Sequence, residues 1–67
     1  MLNYKKLEDI LKQKGITPYR LAKEIGISNV VFSEWKRGKS QPKLDKLIKI
    51  TEYLGITIDD LIDRKDL

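Results

Sequence analysis

Residues 17–38 read T-P-Y-R-L-A-K-E-I-G-I-S-N-V-V-F-S-E-W-K-R-G, and their reading decides the fold. Thr17 is a hydroxyl N-cap, and Pro18 takes the first helical position, where a missing N–H costs nothing. Gly26 ends that helix in a left-handed conformation, and Ser28 caps a second helix after Ile27. Leu21, Ala22 and Ile25 share one face of the first helix; Phe32 and Trp35 share one face of the second. Ala22 is small where the two helices must approach closely. Asn29, Val30, Ser33, Glu34 and Arg37 remain on the opposite face of the second helix. Two helices docked steeply across a short turn, one with an uncommitted face, describe a helix-turn-helix.

The flanking sequence supplies three more helices. Tyr4, Leu7, Ile10 and Leu11 recur at helical spacing behind an Asn3 cap, with Lys12 and Lys14 in the last turn before Gly15. Lys39-Ser40-Gln41-Pro42 reads as a loop. Leu44, Leu47, Ile48, Ile50, Thr51 and Leu54 line a fourth helix that Gly55 closes. Thr57-Ile58-Asp59-Asp60 opens a fifth with an aspartate version of the capping box, and Leu61 and Ile62 give it an apolar side. The expected helices are 4–14, 18–25, 29–36, 44–54 and 58–63. No segment alternates as a strand does, so the fold class is all-α in one domain spanning residues 1–67.

Charge is segregated along the chain. Residues 1–50 carry 12 Lys/Arg against 5 Asp/Glu, and residues 51–67 carry 2 against 5, giving +7 and −3 of the net +4. The densest basic stretch runs through Lys36, Arg37, Lys39, Lys43, Lys46 and Lys49, opposed only by Asp45. Taken alone it describes a solvated surface; beside a helix-turn-helix it describes a face that attracts a polyanion.

Other classes of function find no support. The chain has no His and no Cys, which removes common general bases, metal ligands and strong nucleophiles. Asp59, Asp60 and Asp63 cluster where the helix dipole favours acids, and no glycine-rich phosphate loop is present. The reading is therefore a non-enzyme without cofactor, metal or small-molecule ligand. No apolar run reaches transmembrane length and the first residues do not form a signal peptide, so the cytoplasm is the expected compartment.

Gly15-Ile16-Thr17, Leu21-Ala22, Gly26-Ile27-Ser28, Phe32, Trp35, Gly38, Pro42, Leu47 and Leu54-Gly55-Ile56 together resemble the lambda-repressor-like family, the Cro and repressor, or Xre-type, helix-turn-helix proteins. The resemblance covers about Leu7 to Ile62. It implies a compact five-helix DNA-binding domain, a third helix in the major groove, a second across the backbone, and a transcriptional repressor that binds a two-fold operator as a homodimer. The same fold also serves as a protein-interaction or antitoxin-type adaptor, which is the alternative reading.

Three positions depart from that family's pattern. Pro18 stands where a phosphate-binding glutamine often begins the second helix. Leu11 and Lys36 stand where an arginine and a glutamate often pair, and losing both together leaves no charge buried alone. Lys43 stands where the fourth helix usually has a hydroxyl or aspartate cap, an arrangement suited to a bound phosphate.

Roles follow for individual residues. Leu21, Ala22, Gly26, Ile27, Phe32 and Trp35 form the motif core; helical spacing places the two aromatics inside rather than against bases. Asn29 either bonds adenine N6 and N7 or helps start the helix. Val30 packs on a thymine methyl or sits half-exposed, and Val31 turns inward. Ser33 reaches base or phosphate. Glu34 accepts from cytosine N4 or repels wrong sequences. Lys36, Arg37, Lys39, Ser40 and Lys43 are the expected phosphate contacts. Arg20 and Lys23 are exposed and flank the backbone or remain in solvent. Ile58 and Ile62, on the acidic final quarter, are the expected dimer contact.

Overall fold

A computed structural model of the chain describes residues 2–63. It contains four α-helices, α1 (Tyr4–Lys14), α2 (Pro18–Ile25), α3 (Asn29–Arg37) and α4 (Leu44–Leu54), then a single 3₁₀ turn at Ile58–Asp60. The first four helices keep their expected bounds, apart from one more residue at the end of α3. There is no sheet among the described residues, only an isolated antiparallel bridge between Leu2 and Ile62.

The caps act as their chemistry requires. Asn3 Oδ1 accepts from Lys6 N, Thr17 Oγ1 from Arg20 N and Ser28 Oγ from Val31 N, each at 3.1 Å. Each bond satisfies a backbone donor that the first helical turn leaves without a partner. Between α2 and α3 the chain must reverse direction over Gly26, Ile27 and Ser28. Gly26 does this at φ +77°, and its N–H and that of Ile27 close the α2 carbonyls at Lys23 and Ala22.

Leu7, Leu11, Leu21, Ala22, Ile25, Phe32, Trp35, Leu47, Ile50, Leu54, Leu61 and Ile62 make one continuous core. α2 lies at its centre, packed on both α3 and α4. Tyr4, Phe32 and Trp35 form an aromatic chain, with ring centroids 5.8 and 5.7 Å apart and the first pair edge to face. Leu11 is packed in this core at 2% exposure, while Lys36 is exposed.

The fifth helix is not formed. The 3₁₀ turn stops at Asp60 because the backbone beyond it is engaged elsewhere: Leu61 O accepts from Asn3 N at 2.7 Å, and Ile62 bridges Leu2. Consecutive Leu61 and Ile62 both enter the core, at 0% and 5% exposure. The aspartate capping box at this turn is formed nonetheless, with Thr57 N donating to Asp60 Oδ2 at 3.0 Å.

Candidate nucleic-acid interface

α3 is held as a platform from beneath. Phe32 and Trp35 are buried, and Val31 is half-buried against the same core, so three of its nine residues are committed to packing. The opposite face carries Asn29, Val30, Ser33 and Arg37, all exposed, with Val30 at 67%. That face bears an amide, a hydroxyl, a branched apolar group and a guanidinium. These are the groups that read base edges, thymine methyls and phosphates.

Glu34 departs from the expected arrangement. It is half-buried and turns to the flank of α3, where it lines a depression of about 480 Å³ with Ile27, Trp35, Pro42 and Lys46.

The cations beside α3 are arranged around its C-terminal end. Lys36, Arg37 and Lys39 follow one another there and are exposed; Lys43 is exposed at the start of α4, and Ser40 is half-buried in the loop between. None of these four cations is in an ion pair among the described residues, where the pairs are Lys5–Asp9, Lys6–Asp63 and Arg20–Glu24. Lys43 occupies the N-cap of α4 and makes no side-chain cap bond, so amide donors and an ammonium group lie together at that helix start. Lys46 does not belong with them. Its Nζ donates to Ile25 O at 3.3 Å and ties α4 to the end of α2.

Two residues were missed by sequence reasoning. Lys46 looked like part of the basic run, and only the proximity of α2 shows its structural bond. Tyr19 was given no role, yet it is 64% exposed at the start of α2 and shares a shallow depression of about 270 Å³ with Lys23, Ser28 and Asn29. The signal available in the sequence was a large aromatic one turn from Lys23 and off the Leu21–Ala22–Ile25 face.

The acidic end serves other purposes. Asp60 lies below the usual carboxylate range, chiefly because the Thr57 backbone N–H bonds it, with the Thr57 hydroxyl and then Lys6 adding to the effect. Asn3 Nδ2 donates to both oxygens of Asp63, at 3.1 and 3.0 Å, so that the two ends of the described chain are stitched together. Ile62 is in the core and offers no contact surface, contrary to its expected place in a dimer. Ile58 is half-buried against the same core. Among the described residues no helix is long and apolar enough to cross a membrane.

Comparison with known proteins agrees with this geometry. The Cro/C1-type HTH DNA-binding domain matches residues 6–66. Three relatives are similar over most of the chain. The HTH-type transcriptional activator BcrR of Enterococcus faecalis is 31% identical over 62 residues, 92% of this chain and 30% of BcrR. The cryptic phage CTXphi transcriptional repressor RstR of Vibrio cholerae is 38% identical over 48 residues, 72% of this chain and 43% of RstR. The SPbeta prophage-derived HTH-type transcriptional regulator YonR of Bacillus subtilis is 30% identical over 57 residues, 85% of this chain and 53% of YonR. The chain thus spans between about a third and a half of each relative. It belongs to the Cro/C1-type helix-turn-helix DNA-binding family, which is not an enzyme class.

Proposed function

We propose that this Cro/C1-type domain reads double-stranded DNA sequence with α3 in the major groove and regulates transcription through a two-fold operator. One observation carries the reading: α3 buries its aromatics beneath and leaves Asn29, Val30, Ser33 and Arg37 exposed, flanked by Lys36, Lys39 and Lys43 in no ion pair among the described residues. Asn29 reads an adenine edge and Val30 a thymine methyl; Ser33 contacts base or phosphate. Arg37, Lys39, Ser40 and Lys43 hold the backbone and set the register. Glu34, set toward the flank, repels backbones that approach in the wrong register. Repression by occlusion needs no more than tight operator binding, and the relative RstR is named a repressor whereas BcrR is named an activator.

Pairing follows from information content. One α3 reads only a few base pairs, too few to single out a genomic site, and two copies on half-sites about 34 Å apart double the readout. We place the contact at Ile58, without Ile62. Ile58→Asp lowers affinity for a full palindrome toward that for a half-site. Leu44 and Ile48 form an exposed apolar pair elsewhere, one turn apart on α4, and Ile48→Asp leaves the pairing intact if Ile58 carries it.

Selection of bound duplexes from a random pool, followed by binding of variants, tests the reading. Asn29→Ala costs about 1–3 kcal/mol at one base position and leaves others unchanged. Equal weakening on every sequence would remove Asn29 from base readout. A protein-interaction adaptor shows no selected motif and no salt-dependent binding.

A further inference from the structure

α4 begins on Lys43, an N-cap without a side-chain bond, so its first turn gains no side-chain support at its own start. Lys46 supplies a hold from further along. Its backbone N–H donates to Lys43 O at 3.0 Å, and its Nζ donates at 3.3 Å to the carbonyl of Ile25, the last residue of α2. The turn after α2 closes the carbonyls of Ala22 and Lys23 through the N–H groups of Ile27 and Gly26. It leaves Ile25 O, at the negative end of the helix dipole, to the ammonium group. Among the described residues no other hydrogen bond joins α4 to α2 or α3. Glu34 and Asp45 line the same depression as Lys46, yet Lys46 is in no ion pair among the described residues. It is half-buried, and its cation is committed to a carbonyl.

We propose that Lys46 is a positioning residue for DNA binding, whose bond to the end of α2 holds the first turn of α4 where Lys43 meets a phosphate while α3 is in the groove. This rests on the major-groove reading above. The reading face and Lys43 belong to different helices, and both meet one duplex only if their separation is fixed. Residues 38–43, between α3 and α4, form no helix. The spacing is therefore set through α2, which packs on both. Lys46 bonds that shared helix with its side chain and Lys43 with its backbone, so Lys43 is placed before DNA arrives and its ordering is not charged against binding. Lys46 itself touches no phosphate.

Salt slopes of the full chain on a duplex selected from a random pool separate this role from its rivals. Lys43→Ala lowers the slope of log affinity against log salt by about 0.9, the loss of one phosphate contact. Lys46→Met keeps the stem, removes the donor and lowers the slope by the same amount. The Lys43→Ala/Lys46→Met double variant lowers it no further, because both changes remove one contact. Lys46→Arg retains a donor and the wild-type slope. Loss of stability alone would leave the slope of the folded protein unchanged. If the double variant loses about 1.8, Lys46 is itself a phosphate contact and the inference is overturned. It is overturned equally if Lys43→Ala or Lys46→Met keeps the wild-type slope. In each of these cases a motif selected by wild type leaves the major-groove reading standing, whereas failure to select any duplex removes both. Lys46→Gln, uncharged and shorter, replaces Lys46→Met if circular dichroism finds the latter unfolded. If neither folds, Lys46 serves the fold alone and the inference is overturned.

Discussion

Ser28 and Thr57 each open a helical segment with a hydroxyl residue, and the two segments end differently. From Ser28 the chain runs nine residues as α3, places its aromatics inward and leaves a chemically varied face in solvent. From Thr57 it makes one 3₁₀ turn, and then directs Leu61 and Ile62 into the core. The start signals are similar; the claims on the backbone beyond them are not. After Ser28 each carbonyl finds its own helical partner up to Gly38, where the N–H of Lys39 closes on Glu34 O at 2.9 Å. After Thr57 the N-terminal segment takes Leu61 O for Asn3. A cap nucleates a helix, but competing hydrogen bonds and burial decide how far it runs. As a result the first segment displays side chains and the second consumes them.

If that contrast is right, Ile62→Asp is the most damaging change at the acidic end. It places a carboxylate in a core site that is 5% exposed, and the expected loss is about 4 kcal/mol or more. A 67-residue domain has roughly 3–10 kcal/mol in total, so chemical denaturation should find the variant largely unfolded. Ile58→Asp, only half-buried, should melt near wild type. A well-folded Ile62→Asp protein would reopen the fifth helix and its dimer role.

Next in size is the loss of the cations at the displaying end. Alanine at Arg37, Lys39 and Lys43 together should weaken binding to all sequences alike and flatten the log–log salt slope by about 2.7, leaving thermal stability almost unchanged. An unaltered slope would return these side chains to the solvated surface.

A smaller effect tests the turn between the two helices of the motif. A Cβ on Gly26 would meet nothing within 4 Å, so its substitution is opposed by conformation alone at φ +77°. Gly26→Ala should cost about 1–2 kcal/mol and lower Tm by several degrees, with DNA preference retained in the folded fraction. A change in preference at full occupancy would mean that the turn also sets the angle of α3.

The smallest effect is a pH dependence confined to the acidic end. Bonds from Thr57 keep Asp60 ionised further into acid than in the unfolded chain. Its contribution is therefore present above the ordinary carboxylate range and is lost as pH falls through the lowered folded value. Thermal melts between about pH 5 and pH 2 should show Asp60→Asn with a shallower acid loss than wild type. Equal acid slopes would mean that the turn holds without this bond.

The residues themselves determined the four helices and the motif between them, because the relevant forces are local. Asn3, Thr17 and Ser28 each cap the backbone three residues along, Gly26 marks a left-handed turn, and Phe32 and Trp35 lie a helical turn apart on one side. The outward face of α3 was legible as the surface that packing left over. The tertiary structure alone decided three things. It bonded Lys46 to the end of α2, stopped the last helix at one turn, and set Tyr19 beside Asn29 across the helix junction. Each depends on residues roughly 10 to 60 positions apart, whose meeting no local propensity encodes; it is fixed only when the core draws the helices together.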